Sequence, residues 1–514
     1  MWKSPASPHP QKQITVYFSS MNPSLVITIL LSYFALLVTI SWFTSRKADA
    51  DSYFLGNKKS PWLAVAFGML GDSLSGVTFI SVPGAVYTGN FAYLQLVFGY
   101  FAGYFVISEI LLPLYYRLNV TSIYSYLGIR IGSYSERTGS VYFLLSRLLG
   151  AGGRLYLAAG VIHLFVLQQL NIPFAVSVAV IILLMLVYTL KGGIKTLVWT
   201  DVLQSAVLLL AVNLSILAIM HSTGKGIGEM ISGIWSDPHT ETFFWDWKLK
   251  SFFPKMFIGG MLTAIAMTGL DQNMMQKNLS CKSLGEAQKN IRTFSFVMMI
   301  VNIFFLALGV LLYQYYTTAE ITLPLAANGD VLTDKVFPKL AMEHLGMFPG
   351  IVFILGLTAA TFSSADSVLT TLTTSFYIDI LRMDKNTAKS EASKHRIRNI
   401  IHISFAFTLL IVILIFDAMN NDAIINTILT IAGYTYGPLL GLFAFGIYTT
   451  RIAKDNWVPV ICILAPLLSW LLSTYSKTIL GGYEFGYELL GVNGLLVFAG
   501  LMLVSKPKST TAIV

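Results

Sequence analysis

Residues 62–90 read WLAVAFGMLGDSLSGVTFISVPGAVYTGN, a run long and apolar enough to cross a bilayer as a helix. Gly68, Gly71, Gly76, Pro83 and Gly84 interrupt it, and Asp72 sits near its middle. Proline removes a backbone donor and glycine weakens a helix, so the run is expected to break near its centre. Carbonyls freed by such a break find no water in lipid. They must meet a protein partner or line a cavity.

The surrounding chain gives that break its setting. Of 514 residues, 55% are hydrophobic and only 11% are charged. Apolar runs recur about thirteen times, at 24–45, 61–88, 91–116, 138–170, 172–190, 196–221, 252–276, 293–317, 349–381, 399–417, 422–450, 456–475 and 488–505. They do not alternate as barrel strands would. The expected fold class is therefore an all-α polytopic membrane protein with a single transmembrane domain, 24–505. A leader, 1–23, precedes it and a tail, 506–514, follows it. The leader lacks a basic start and a small-residue cleavage site, so the first helix is read as retained with its N-terminus outside.

The net charge is +9. Most of the 34 Lys and Arg residues fall on one alternate set of loops, including Arg46, Lys47, Lys277, Lys282, Lys289, Arg292 and the cluster from Arg382 to Arg398. That is the positive-inside pattern. It predicts a multi-pass protein of the plasma (cell inner) membrane with a cytoplasmic C-terminus. The excess charge orients the chain and calls for no nucleic-acid partner. Cys281 falls in a basic loop and Cys462 in an apolar run, so neither a disulfide nor a metal cluster is expected.

A second polar stretch, TAATFSSADSVLTTLTTSFYIDI at 358–380, lies in the ninth run. On a helix, Ala360, Ser363, Ser364 and Ser367 share one face, with Asp366 at its edge. Hydroxyl, carbonyl and carboxylate oxygens suit a small hard cation. Small hydroxyl residues also let helices pack closely, and spacing alone leaves both readings open. Asp72, Arg147, Arg154, His163, Asp201 and Asp366 are ionisable at membrane depth, where such groups usually face a partner or a cavity. His163 is expected to be a packed helix residue, while Glu109 and Asp379, nearer span ends, are expected to reach the interface. Span seven has a weak point at Gly259 and Gly260, five spans after span two. That spacing fits two five-helix repeats, spans 2–6 (61–221) and 7–11 (252–450), inverted because an odd repeat length reverses orientation. One helix, within 24–60, precedes the repeats and two, 456–505, follow. The loop 222–251 carries Trp235, Trp245 and Trp247 and reads as an outer cap or interfacial aromatics. Segment 335–346 reads as a short amphipathic helix.

Three segments together resemble the sodium:solute symporter family: SGVTFISVPGAVYTG at 75–89, KGGIKTLVWTDVLQ at 191–204, and the pair GLDQNMMQKNLSCKSLGEAQKN at 269–290 with AATFSSADSVLTT at 359–371. The resemblance covers roughly residues 24 to 480. It implies a LeuT-type 5+5 inverted-repeat core and Na+ as coupling ion. It places that ion between spans two and nine, on the carbonyls of Gly71, Leu74 and Ala360 and the hydroxyls of Ser363 and Ser364. Gly71 stands where alanine is usual. The positions of a second sodium site found in some members are Asp201, Asp366 and Ser367. Asp366 replaces a hydroxyl there, so a second sodium and a proton both stay open.

In sialic-acid-transporting members a Ser and a Thr on the broken helix, with an arginine on span four, hold the substrate carboxylate. Ser75 and Thr78 match the first two, and Arg147 and Arg154 flank the third position. Arg154 could instead pair with Asp72. Sugar-transporting members have a glutamine where Thr78 stands and an acidic residue near Gln95, which is kept as a further substrate candidate. The resemblance thus implies sodium-coupled import of a small polar solute by alternating access. The solute expected is a carboxylate such as a sialic acid, and the protein would work as a monomer in membrane lipid. The alternatives are sodium symport of a sugar, an amino acid, a monocarboxylate or a vitamin, or a membrane solute sensor on the same fold. For a sensor the tail SKPKSTTAIV is too short to be a signalling module. No Ser-His-Asp set or metal motif points to an enzyme, and TFSSAD lacks the glycine-flanked nucleophile turn of a hydrolase.

Overall fold

In lipid a backbone satisfies itself only as a helix or a closed barrel, and this chain takes the first course. The computed structural model describes residues 23–46, 50–326, 328–419 and 424–507. The leader before Pro23 and the tail after Pro507 lie outside the described residues. Among these residues, 8 single helices are long and apolar enough to cross a membrane, and 2 bent helix pairs bring the number to 10. Shorter apolar helices at Phe174–Leu190 and Leu489–Leu503, with Ile424–Tyr448, lie over the remaining apolar segments.

Both bent pairs are interrupted spans. Span two consists of Trp62–Ser73 and Gly76–Gly89, at 62° to one another. Leu74 (φ −90°, ψ 75°) and Ser75 (φ −70°, ψ 170°) leave the helical region between them. Pro83 and Gly84 do not break the second half. Gly84 instead lies against the backbone of Thr333, where an added Cβ would come within 2.1 Å of the Thr333 carbonyl oxygen.

Span seven consists of Phe253–Gly269 and Gln272–Leu279, at 63°. Its break is at Leu270–Asp271, not at Gly259–Gly260 as the glycine content suggested. Asp271 caps the second half by accepting from the Met274 N–H at 3.1 Å. Gly260 and Gly99 mark a close helix crossing. A Cβ on Gly260 would lie 2.2 Å from the Leu96 carbonyl oxygen, and one on Gly99 2.1 Å from that of Phe257. Glycine here serves packing, as in other membrane helix pairs.

Span nine, Met347–Ser375, is enclosed by its neighbours, with 72% of its most apolar window buried. The predicted amphipathic segment forms the helix Thr333–Lys339 and a wide turn to His344. Its Phe337 ring packs 5.3 Å from Phe79 and 4.8 Å from Phe353, covering the second half of span two. In the loop 222–251, a helix at Ile227–Trp235 leaves Trp235, Trp245 and Trp247 exposed. Glu109 pairs with Arg292 at a half-exposed position. Asp379, expected at the interface, is fully buried and accepts from Ser122 Oγ at 2.8 Å and Ser375 Oγ at 2.5 Å. Both hydroxyls reach Oδ2, and Oδ1 has no hydrogen-bond partner among the described residues. His163 Nδ1 meets Ser177 Oγ at 3.0 Å.

Spans five and six are two helices, Phe174–Leu190 and Gly192–Thr223, and the chain turns between them where Gly193 leaves the helical region at φ 52° and ψ −147°. A Cβ there would lie 2.4 Å from the Tyr53 carbonyl oxygen. Gly193→Ala therefore combines a disfavoured backbone with a backbone clash and is expected to cost at least about 1–3 kcal/mol. Gly285→Ala, where nothing lies within 4 Å, should leave stability unchanged or raised. Thermal unfolding of the two variants in detergent compares them.

Candidate cation and solute site

The last carbonyls of a helix have no intrahelical donor. At the end of Trp62–Ser73, the Leu74 N–H takes the Leu70 carbonyl at 2.7 Å. Among the described residues no donor reaches the carbonyl oxygens of Gly71 or Leu74. The break in span seven is different. There Arg147 Nη2 donates to the Met267 carbonyl at 3.2 Å, Tyr115 to that of Gly269 at 2.9 Å and Tyr124 to that of Leu270 at 3.0 Å. One break is closed by side chains, and the other keeps open oxygens.

Span nine faces the open break. Ser363 and Ser364 are buried and turned into the protein, one turn beyond the buried Ala360. A Cβ on Gly71 would fall 2.5 Å from Ser363 Oγ and 2.9 Å from Ser205 Oγ, so both hydroxyls lie close against this position and would shift to admit a side chain. The Gly71 N–H donates to Ser205 Oγ at 2.9 Å. Ser363 Oγ donates to Asp201 Oδ1 at 3.2 Å and Ser364 Oγ to the Thr361 carbonyl at 3.0 Å. A hydroxyl that spends its hydrogen in this way still offers oxygen lone pairs. Span nine thus sets the Ser363 hydroxyl against Gly71, beside the open end of the first half of span two, and hydroxyl and carbonyl oxygens are of the kind that suits a small hard cation.

Asp201, Asp366 and Ser367 do not converge in the same way. Asp201 and Ser367 meet at Lys277, whose Nζ lies 2.5 Å from Asp201 Oδ2, 2.5 Å from Asp72 Oδ2 and 2.9 Å from Ser367 Oγ. Asp366 turns away. Its Oδ2 accepts from Tyr188 at 2.7 Å, while Oδ1 has no partner. The Gln204 amide lies between the two carboxylates, reaching Asp366 Oδ2 at 3.4 Å in one orientation and Asp201 Oδ1 at 3.1 Å in the other. We favour the second, which makes the shorter contact and adds one to the Thr200 carbonyl.

Lys277 was read from the sequence as an inner-loop charge, and the structure corrects this. The half-helix that begins at Gln272 runs to Leu279 and carries Lys277 into the core, 1% exposed. The available signal was Asp271, a helix-capping residue placed directly before an eight-residue polar helix. Asp72 pairs with Lys277 and accepts from Asn273 Nδ2 at 3.2 Å, so its partner is not Arg154.

Arg147 is held at 2.5 Å by Asp271 Oδ2, which also accepts from Tyr436 at 2.6 Å. Neither Asp271 nor Tyr436 stood out in the sequence. Arg154, two turns along the same helix, has no hydrogen bond or ion pair among the described residues. With Ser146, Arg147, Gly150, Met267, Ala432 and Tyr436 it lines a gap of about 10 Å³, room for about one water. Gly76 adjoins Ala158, at 3.2 Å for an added Cβ, one turn beyond Arg154. The start of the second half of span two, with buried Ser75 and half-buried Thr78, is therefore level with the arginines. Gln95 does not line the gap, and its amide donates to the Ser251 carbonyl at 2.9 Å.

The sequence profile of the sodium:solute symporter family matches residues 53–456. The chain belongs to the sodium:solute symporter family. Its relatives include the sodium/sialic acid symporter NanT of Aliivibrio fischeri, 28% identical over 86% of this chain and 87% of that protein. The sodium/sialic acid symporter SiaT of Proteus mirabilis is 26% identical over 92% and 93%. Sodium-coupled monocarboxylate transporter 2 of Danio rerio is 26% identical over 78% and 63%. The fold matches a substrate-bound, outward-open Na+-coupled sialic acid symporter with a TM-score of 0.80 and 23% identity, over 94% of this chain and 99% of that one. The symporter is thus a multi-pass membrane transporter of the LeuT type, not an enzyme.

Breaking a buried ion pair by removing one partner costs about 3–5 kcal/mol. Lys277→Ala leaves both Asp72 and Asp201 without their shared counter-ion, so the symporter should lose stability of that order in sodium-free buffer. Lys282→Ala, at an exposed position five residues on, should stay within about 0.5 kcal/mol of the parent. Chemical denaturation of both variants measures the difference.

Proposed function

We propose that this symporter imports a small carboxylate-bearing solute of the sialic acid type, driven by sodium held between spans two and nine. The observation that carries the reading is the pair of open carbonyls, Gly71 and Leu74, with the buried Ser363 hydroxyl lying against Gly71 and Ser364 buried beside it. In this reading the Ala360 carbonyl completes the ion's shell. Sodium ties the end of the first half of span two to span nine and so fixes the bend on which Ser75 and Thr78 stand.

The solute end rests on Arg154. Its guanidinium has no hydrogen-bond or ion-pair partner among the described residues and is the group best able to grip a carboxylate in a two-pronged fashion. Arg147 is already committed to Asp271 and would position the neighbouring Tyr436 and Met267. That relatives are named for sialic acids and for monocarboxylates, both of which carry a carboxylate, supports this class of solute.

Ion and solute would strengthen one another's binding by the same factor. The membrane potential adds roughly 2.3 kcal/mol per charge per 100 mV. A gap of about 10 Å³ cannot admit a sugar acid, so entry requires the helix 133–162 and the broken spans to move apart. A cavity of about 230 Å³, lined by Phe54, Thr121, Tyr377 and Met383, lies at the end of span nine far from the Phe337 cover. We place that end in the cytoplasm, with the N-terminus outside, on the distribution of Lys and Arg, and we take the monomer as the working unit.

In proteoliposomes, Ser364→Ala should abolish sodium-dependent uptake of a sialic acid while the protein still inserts. Uptake with unchanged sodium dependence would overturn the ion site. Arg154→Gln should raise the KM for the solute at least about tenfold, the loss of one charge-assisted contact, while sodium-induced thermal stabilisation persists.

A further inference from the structure

The sodium site described above makes no use of Lys277, yet this is among the most enclosed charges in the molecule. Its ammonium has three hydrogens and three oxygen partners: Asp72 Oδ2, Asp201 Oδ2 and Ser367 Oγ. Those oxygens come from spans two, six and nine, the helices that also frame the open break. Two carboxylates and a hydroxyl around one point make the kind of oxygen shell a small hard cation takes. The charges count the same way. Asp72 and Asp201 bring two negative charges, Lys277 returns one, and a single negative charge is left. Asp201 passes it on, since its other oxygen accepts from Ser363 Oγ, a hydroxyl assigned above to the sodium. One sodium ion then neutralises the triad of Asp72, Asp201 and Lys277, with Asp366 set apart from it across Gln204.

We propose that the Lys277 ammonium is a built-in cation occupying a second cation position between Asp72, Asp201 and Ser367, so that each cycle carries one sodium. This rests on the sodium site proposed between spans two and nine. A tethered cation cannot dissociate. It holds the second half of span seven against spans two, six and nine throughout the cycle and adds nothing to the ions moved. A free ion in the same place would have to be taken up and released at every turn. With Lys277 neutralised, the position is open to a second sodium.

The test is sodium binding to the purified full-length protein, with radioactive sodium in equilibrium dialysis and no solute present. The wild type should bind one ion per chain and Lys277→Ala two, while Lys277→Arg, which keeps a charge, should bind one. Sodium should also restore the thermal stability that Lys277→Ala loses. The Hill coefficient of that recovery should be about 2, against about 1 for the sodium-dependent shift of the wild type. Lys277→Gln keeps amide donors to Asp72 and Asp201 without charge, and serves where the alanine variant does not fold. It too should bind two ions. Two ions on the wild type, or one ion on either uncharged variant, would overturn the proposal and leave the sodium site standing. No ion on the wild type would sink the sodium site itself, and the second position with it.

Discussion

A peptide carbonyl halfway through a bilayer has only the protein to turn to. The structure depends on that constraint at Leu74 and Ser75, where span two stops being a helix. The turn leaves oxygens in a place without water, and the neighbouring helices are shaped to meet them. At Gly71 the hydroxyls of Ser363 and Ser205 lie in the space beside the backbone. Gly68 lies against Asp201 and Gly76 against Thr361 in the same way. Small residues along one edge of span two let it lie against spans six and nine closely enough for their polar groups to face the break.

The two interrupted spans answer the constraint in opposite ways. In span seven the exposed carbonyls are taken up by Arg147, Tyr115 and Tyr124, and Asp271 both caps the second half and anchors Arg147. That break is a closed structural joint. In span two the Gly71 and Leu74 oxygens keep no donor among the described residues, as the proposed ion site would require. An inverted repeat thus yields one fixed and one responsive joint from similar geometry.

Charge follows the same division. The carboxylate of Asp271 and the guanidinium of Arg147 balance each other on the solute side. Asp72 and Asp201 share the single cation of Lys277 beside the break in span two, which with both carboxylates ionised leaves one surplus negative charge. Ser363 is hydrogen-bonded to that cluster, so the cation proposed at the open break would be attracted by more than the dipoles of its direct ligands. A surplus held this deep is costly unless a mobile ion offsets it, which links the stability of the core to the ion.

Composition and periodicity alone determined the helical membrane fold, the position of the span-two break and the shared face of Ala360, Ser363, Ser364 and Ser367. Each follows from local physics: backbone satisfaction in lipid, weak helix formers at a run's centre, and the 3.6-residue turn. Tertiary structure decided the rest. Gly259 and Gly260 look in the sequence like a point of weakness, yet Gly260 packs against Leu96 and Gly99 and Gly259 against Tyr487 instead of bending the chain. Glycine serves both ends, and only the neighbouring helix chooses between them. Lys277 has the sequence context of a loop charge. It became a core cation because Asp271 starts a helix three residues beyond the last apolar turn, and because Asp72 and Asp201, about two hundred and about eighty residues before it, converge on its ammonium. Which buried charge meets which partner depends on distances between helices that no spacing along the chain encodes.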